Sequence, residues 1–139
     1  MHEIFASADR KVVLSMLWVF VVFNYLYADI VILIFRPGAY QAIAERMSAP
    51  AALGATLLME LLLAMAFLSR VLEYSFNRWA NIVAGVVGTA FVAVTLSPRA
   101  PIAYTALAGI EIACTLFIVW YAWTWRRDTD GIGSGKTTR

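Results

Sequence analysis

Three carboxylates, Asp29, Glu60 and Glu111, stand inside long apolar stretches of this sequence. An ionised side chain there is expensive: an Asp at the centre of a membrane-spanning helix costs roughly 2.5–3.5 kcal/mol on insertion scales. Such groups face a polar interior, pair with donors or stay protonated. Asp29 comes about six residues before the end of its stretch, and Glu60 and Glu111 about nine after the start of theirs. At 1.5 Å per residue all three fall roughly 9–14 Å below the same end of a bundle.

The neighbours of these acids suit an interior face. Tyr25 and Asp29 are spaced i,i+4, with Trp18 and Val22 continuing that side. Thr56, Glu60 and Ala64 form a second stripe, and Tyr104, Ala108, Glu111 and Thr115 a third. Phenols and hydroxyls can hydrogen-bond a carboxylate without neutralising it, and no Lys, Arg or His stands at that depth. Together with Asn24 near mid-span, the candidate cation or ligand site is Asp29, Glu60, Glu111, Tyr25, Tyr104 and Asn24.

Three functions compete for this set. The leading one is a proton- or cation-coupled transporter or permeation unit, in which the acids bind or relay the cation and Tyr25 and Tyr104 position them. The second is a structural or accessory subunit whose acids stay protonated. The third is a pocket for a lipid, a quinone or another amphipathic ligand, an enzyme site included, although no nucleophile pair or cofactor signature supports chemistry. An all-oxygen layer suits Na⁺, Mg²⁺ or Ca²⁺ better than a soft metal. A di-iron site is disfavoured because the only histidine is His2. No resident metal or cofactor is therefore expected, and a bound cation or lipid is the ligand such a layer admits. Cys114 has no partner cysteine and reads as a packing residue.

The elements that must hold these residues follow from composition. Of 139 residues, 62% are hydrophobic and 14% charged, and the apolar ones fall into four blocks near residues 12–35, 51–69, 79–97 and 102–125. Each is long enough to cross a hydrocarbon core of about 30 Å as a helix. None alternates as a barrel strand would. The expected fold is all-α: an antiparallel transmembrane four-helix bundle in a single domain over residues 1–127, with a disordered tail over 128–139. That tail resembles the end of a phosphate-binding loop, but Asp130 stands where the first glycine is needed. Phe35-Arg36-Pro37-Gly38 predicts a turn, and Ala39–Met47 either a short interfacial helix with Tyr40 and Ile43 on its apolar side or a surface loop.

Charge sets the expected orientation. Arg10, Lys11, Arg70, Arg78, Arg126, Arg127, Lys136 and Arg139 fall at one end, against Arg36, Arg46 and Arg99 at the other. The positive-inside rule then places both termini in the cytoplasm of a multi-pass cell-membrane protein. The net charge of +2 is too small to suggest a nucleic-acid partner. Membrane lipids are the expected partners, with a homodimer or a membrane-complex partner left open. Arg70, Glu73 and Arg78 predict salt-bridged helix ends, and Asn81-Gly85-Thr89 with Ala84 and Gly88 a close helix approach. Trp18, Trp79, Trp120, Trp123 and Trp125, with Tyr121, read as an interfacial aromatic belt.

Several segments also carry a likeness. Leu17-Trp18-Val19-Phe20, Asn24-Tyr25-Leu26-Tyr27-Ala28-Asp29, Leu58-Met59-Glu60 and Leu68-Ser69-Arg70-Val71-Leu72 are followed by Asn77-Arg78-Trp79-Ala80-Asn81-Ile82. Ile110-Glu111-Ile112-Ala113-Cys114-Thr115-Leu116-Phe117 and Trp120-Tyr121-Ala122-Trp123 complete the set. Over roughly residues 12–125 the chain resembles a family of small, uncharacterised prokaryotic four-helix membrane proteins. The resemblance implies a four-span membrane fold and no assigned activity or cofactor. A looser likeness to four-helix families linked to quinone oxidoreductases rests on architecture alone.

Overall fold

A computed structural model describes residues 2–97 and 100–125, with side chains from Arg10 onward in the first helix. The secondary structure of these residues is helical throughout: α1 (His2–Phe35), α2 (Ala39–Arg46), α3 (Ala49–Val71), α4 (Tyr74–Thr95) and α5 (Ile102–Trp123), joined by short turns and links. The segment Arg10–Phe35 and the whole of α3, α4 and α5 are apolar and 22–26 residues long. That is about 33–39 Å of helix, enough to cross a bilayer core. Continuous helices are what such sequences must form in lipid, where a backbone amide has no water to bond.

The four long helices form an antiparallel ring in the order α1, α3, α4, α5. Lys11 donates to the carbonyl of Leu72 at 2.7 Å and Ser15 to that of Ala66 at 2.6 Å, so the start of α1 meets the end of α3. Arg10 lies over the Tyr121 ring, which sets the start of α1 beside the end of α5 as well. These cations sit at helix C-termini, where the exposed carbonyls favour positive charge.

The closest approach joins α4 to α5. A Cβ on Gly85 would stand 2.6 Å from Val119 Cγ2 and 3.1 Å from the Thr115 carbonyl, and one on Gly88 would touch Leu62 and Thr115. Thr89 and Thr115 share a hydroxyl hydrogen bond of 2.7 Å across the same seam. The small-residue stripe on α4 therefore serves the close packing expected of it. The core around it contains Leu14, Trp18, Val21, Leu62, Met65, Ala84, Ile118 and Trp125.

Several local expectations are corrected. The link expected over Arg70–Arg78 shrinks to Leu72 and Glu73, because polar residues at a helix end weaken its affinity for lipid without breaking its hydrogen bonds. Arg78 turns to α5, donating to the Trp123 carbonyl at 3.2 Å and lying over that ring. Trp18 and Trp125 are not belt residues: they are 0% and 4% exposed. Trp125 meets the Tyr74 ring edge-on at 5.1 Å and accepts that residue's hydroxyl at its carbonyl. Trp79, Trp120 and Trp123 do stand on the outer surface. Residues 39–46 take the helical alternative. Gly38, at φ 91°, makes this possible by supplying the left-handed turn that folds α2 back beside α1. The tail sequence after Trp125 lies outside the described residues.

Candidate functional site

The bundle has two polar regions, one near each end. The first is built by Trp18 of α1, Ser69 of α3, and Asn77 and Asn81 of α4, all completely buried. Trp18 Nε1 donates to Asn81 Oδ1 at 2.7 Å, and Ser69 Oγ donates to the same oxygen at 3.1 Å. Asn81 Nδ2 donates to Asn77 Oδ1 at 2.6 Å and to the Asn77 carbonyl at 2.8 Å, while Asn77 Nδ2 donates to the Ser69 carbonyl at 2.7 Å. Both amide donors and both acceptor positions of Asn81 are thus in use. This region ties three helices together and offers a ligand nothing.

The second region is a cavity of about 470 Å³ near the opposite end, between the bundle and α2. Tyr25 and Asp29 reach it from α1, Tyr40 from α2, and Tyr104 and Glu111 from α5. Helix α3 lends only Ala55 and Met59, and α4 lends Phe91, Val92 and Thr95. Glu111 is 3% exposed, and its Oε1 has no hydrogen-bond partner. The Tyr25 hydroxyl is likewise buried and unpartnered. A buried polar atom left unpaired costs about 1–3 kcal/mol. Among the described residues four such atoms occur: Glu111 Oε1 and the Tyr25 hydroxyl belong to residues that line the cavity, whereas Asn24 Nδ2 and Arg78 Nε do not. Asp29 and Glu111 lie close enough for their charges to interact, and Glu111 also acts electrostatically on both Tyr25 and Tyr104.

Asp29 does have a donor, and it is one not expected from the sequence. Tyr40 Oη donates to Asp29 Oδ1 at 2.8 Å, with the Asp29 carbonyl 3.3 Å away. Tyr40 as a residue is 39% exposed, but its hydroxyl is bonded to Asp29 and it lines the cavity. Burial, and then the bond to Asp29, raise the phenol's pKa above its ordinary value and keep the proton on the donor. Tyr40 is therefore a polar contact rather than part of an apolar face. The only sequence signal for it was the Pro37-Gly38 turn, which returns the chain toward the end of α1.

Two of the six candidate residues stand elsewhere. Glu60 shares the expected depth but is exposed on the outside of α3. The buried side of that helix carries Leu62, Met65 and Ser69. At 100° per residue Glu60 sits about 200° from Leu62, on the opposite side. Thr56 is exposed on the same outer side. Asn24 is half-buried with its Nδ2 unpartnered, and it does not line the cavity. Thr115 spends its hydroxyl on Thr89 and on the Glu111 carbonyl rather than on the carboxylate. Cys114 packs against the core as a free thiol.

The polar lining therefore consists of two carboxylates and three phenols, with Arg36, Thr95 and Ser97, on walls that are otherwise apolar. Among the described residues no group of three His, Cys, Asp or Glu side chains could hold a metal ion. A family model described as a family of unknown function, DUF6326, matches residues 2–131, and the chain belongs to that family. No curated protein and no solved structure matches it.

Proposed function

We propose that this family member is a cation-coupled membrane transport or permeation unit whose binding site is the cavity that takes its carboxylates and phenols from α1, α2 and α5. One observation carries the reading: Glu111, a carboxylate 3% exposed with an unpartnered oxygen, lines a cavity it shares with Asp29 and Tyr25. Buried acids that serve only packing find donors, because an unpaired one is costly. An acceptor kept open toward a cavity is completed by a cation or a protonated ligand. Asp29, held by Tyr40, supplies a second negative group at the same site.

The excess of basic residues around the Trp18–Asn81 end supports a cytoplasmic placement of that end, with both termini inside the cell membrane and the cavity facing outward. Passage inward then requires a rearrangement of the packed end, where Trp18 and Asn81 fill the path. The test is cation-dependent flux in vesicles containing the intact chain, Glu111→Gln or Glu60→Gln. The expected result is flux that is lost in Glu111→Gln and kept in Glu60→Gln, since Glu60 lies outside the cavity. Equal loss in both would sever the activity from this cavity. A folded, inserted chain that moves neither protons nor cations would favour an accessory subunit.

A further inference from the structure

From the walls of the same cavity we infer that the cation is an organic ammonium carrying an apolar body, rather than a bare inorganic ion. The inference rests on the cation-site reading above. Small inorganic cations give up strongly held water and need several oxygens in return: six to eight for Ca²⁺ and a near-ideal octahedron for Mg²⁺. Here the oxygens are few and partly engaged. One of the two carboxylates is bonded to Tyr40, the Thr95 hydroxyl donates to the Phe91 and Val92 carbonyls, and Ser97 has an interaction of its own. The surrounding wall includes Ala28, Ile32, Ala55, Met59 and Val92. Such walls repay little of a metal ion's hydration. They suit a ligand whose own body is apolar, because its removal from water is itself favourable.

The polar groups point the same way. Glu111 offers one unpartnered, desolvated oxygen, which matches a single N–H donor or a single positive charge. Tyr25, Tyr40, Phe91 and Tyr104 add four aromatic rings to the lining, and ring faces attract organic cations. The volume of about 470 Å³ falls within the ~300–1,000 Å³ usual for small-molecule pockets and far exceeds the space a single ion needs. Arg36, just past the end of α1 and seven residues beyond Asp29, also lines the cavity. Arg36 is itself engaged in an interaction. Its charge disfavours a second cationic group on the ligand and leaves the single charge for the acid end.

The experiment is calorimetric titration of the purified intact protein in detergent with four probes: phenethylammonium, methylammonium, 2-phenylethanol and Na⁺. Phenethylammonium is expected to bind at least tenfold tighter than the other three, and Glu111→Gln to weaken it at least tenfold. Glu60→Gln should bind as the intact chain does. Ala55→Phe, which fills the cavity from α3 without touching an acid, should weaken phenethylammonium about tenfold and leave methylammonium unchanged. This variant keeps the inference testable if Glu111→Gln does not fold. Na⁺ or methylammonium binding as tightly, with the same dependence on Glu111, would overturn the organic-ammonium inference and leave the cation site standing. Binding of 2-phenylethanol as tight as that of phenethylammonium and indifferent to Glu111, or no binding of any probe by folded protein, would overturn both.

Discussion

The two polar regions of this bundle use similar side chains and end in opposite states. At the basic end an indole, a hydroxyl and two amides close into a network in which Asn81 uses every hydrogen-bonding position it has. At the cavity end a buried carboxylate and the buried hydroxyl of a half-buried phenol keep atoms unpaired. Packing chemistry alone explains the first arrangement, since buried polar groups are tolerated once satisfied. It does not explain the second, where free energy is given up at positions that share one cavity. Departures from local consistency concentrate at functional sites, which is the ground for proposing the site at the cavity end; Arg78 Nε, unpaired near the basic end, lies outside the closed network.

The comparison breaks most easily at Asn81. Asn81→Leu would remove the acceptor for Trp18 and Ser69 and the donor for Asn77. At about 1–3 kcal/mol for each buried group left unpaired, a loss of about 3 kcal/mol or more is expected, read as a lower thermal unfolding midpoint in detergent. A change under about 1 kcal/mol would mean that the network is not what holds this end. Gly85→Ala comes next. Its new methyl would press on Val119 and the Thr115 backbone, for an expected loss of about 1–3 kcal/mol. Gly109→Ala on α5 meets nothing within 4 Å and should stabilise by about 0.5–1 kcal/mol through helix propensity. Equal effects at the two glycines would contradict the α4–α5 seam.

Much of this contrast could be read before the fold was known, and the parts that could not have physical causes. Depth along a helix is a matter of counting residues, so the shared level of Asp29 and Glu111 was legible. The angle around a helix is legible only where polar or small residues mark one side. On α4 the stripe Asn81-Gly85-Thr89 does so, and on α5 Ala108, Glu111 and Thr115 do, and these faces are the packed ones. Helix α3 is Leu, Ala and Met all round, leaving Glu60 and Thr56 as its only mid-span markers, and they lie on the outer side. Trp18 fits either an aromatic belt or a core, and its partner Asn81 is 63 residues away. Tyr40 meets Asp29 only because Gly38 reverses the chain between them.

Glu111→Gln sharpens the comparison through its sign. Where a substitution costs heavily at Asn81, this one should cost nothing, because exchanging a buried carboxylate with an unpaired oxygen for a neutral amide lessens its desolvation cost and should raise stability by up to about 1 kcal/mol. Binding of phenethylammonium, measured on the same sample, should fall at least tenfold. Stability that rises while binding falls is the trade-off expected of a site kept open at the expense of the fold. A loss of 2 kcal/mol or more would instead show that Glu111 is held by interactions of the scaffold kind.

The smallest effect is expected at Tyr40. Tyr40→Phe removes one hydrogen bond, to the exposed Asp29 that lines the cavity, and such an exposed bond contributes about 0.5 kcal/mol. The change should be local, appearing as faster hydrogen exchange of the α2 amides over Ala39–Arg46 while those of α4 are unaffected. It also has a pH signature. Because burial and the Asp29 bond raise the folded phenol's pKa, the folded state resists losing this proton while the unfolded chain loses it near pH 10. The Tyr40 contribution is therefore fully present below about pH 10 and declines as pH rises beyond it. The intact chain should lose stability in that alkaline range more steeply than Tyr40→Phe does, and the two curves should run parallel at neutral pH. Curves that stay parallel throughout would mean that Tyr40 is not held against Asp29, and the cavity would then be bounded on that side by the bundle alone.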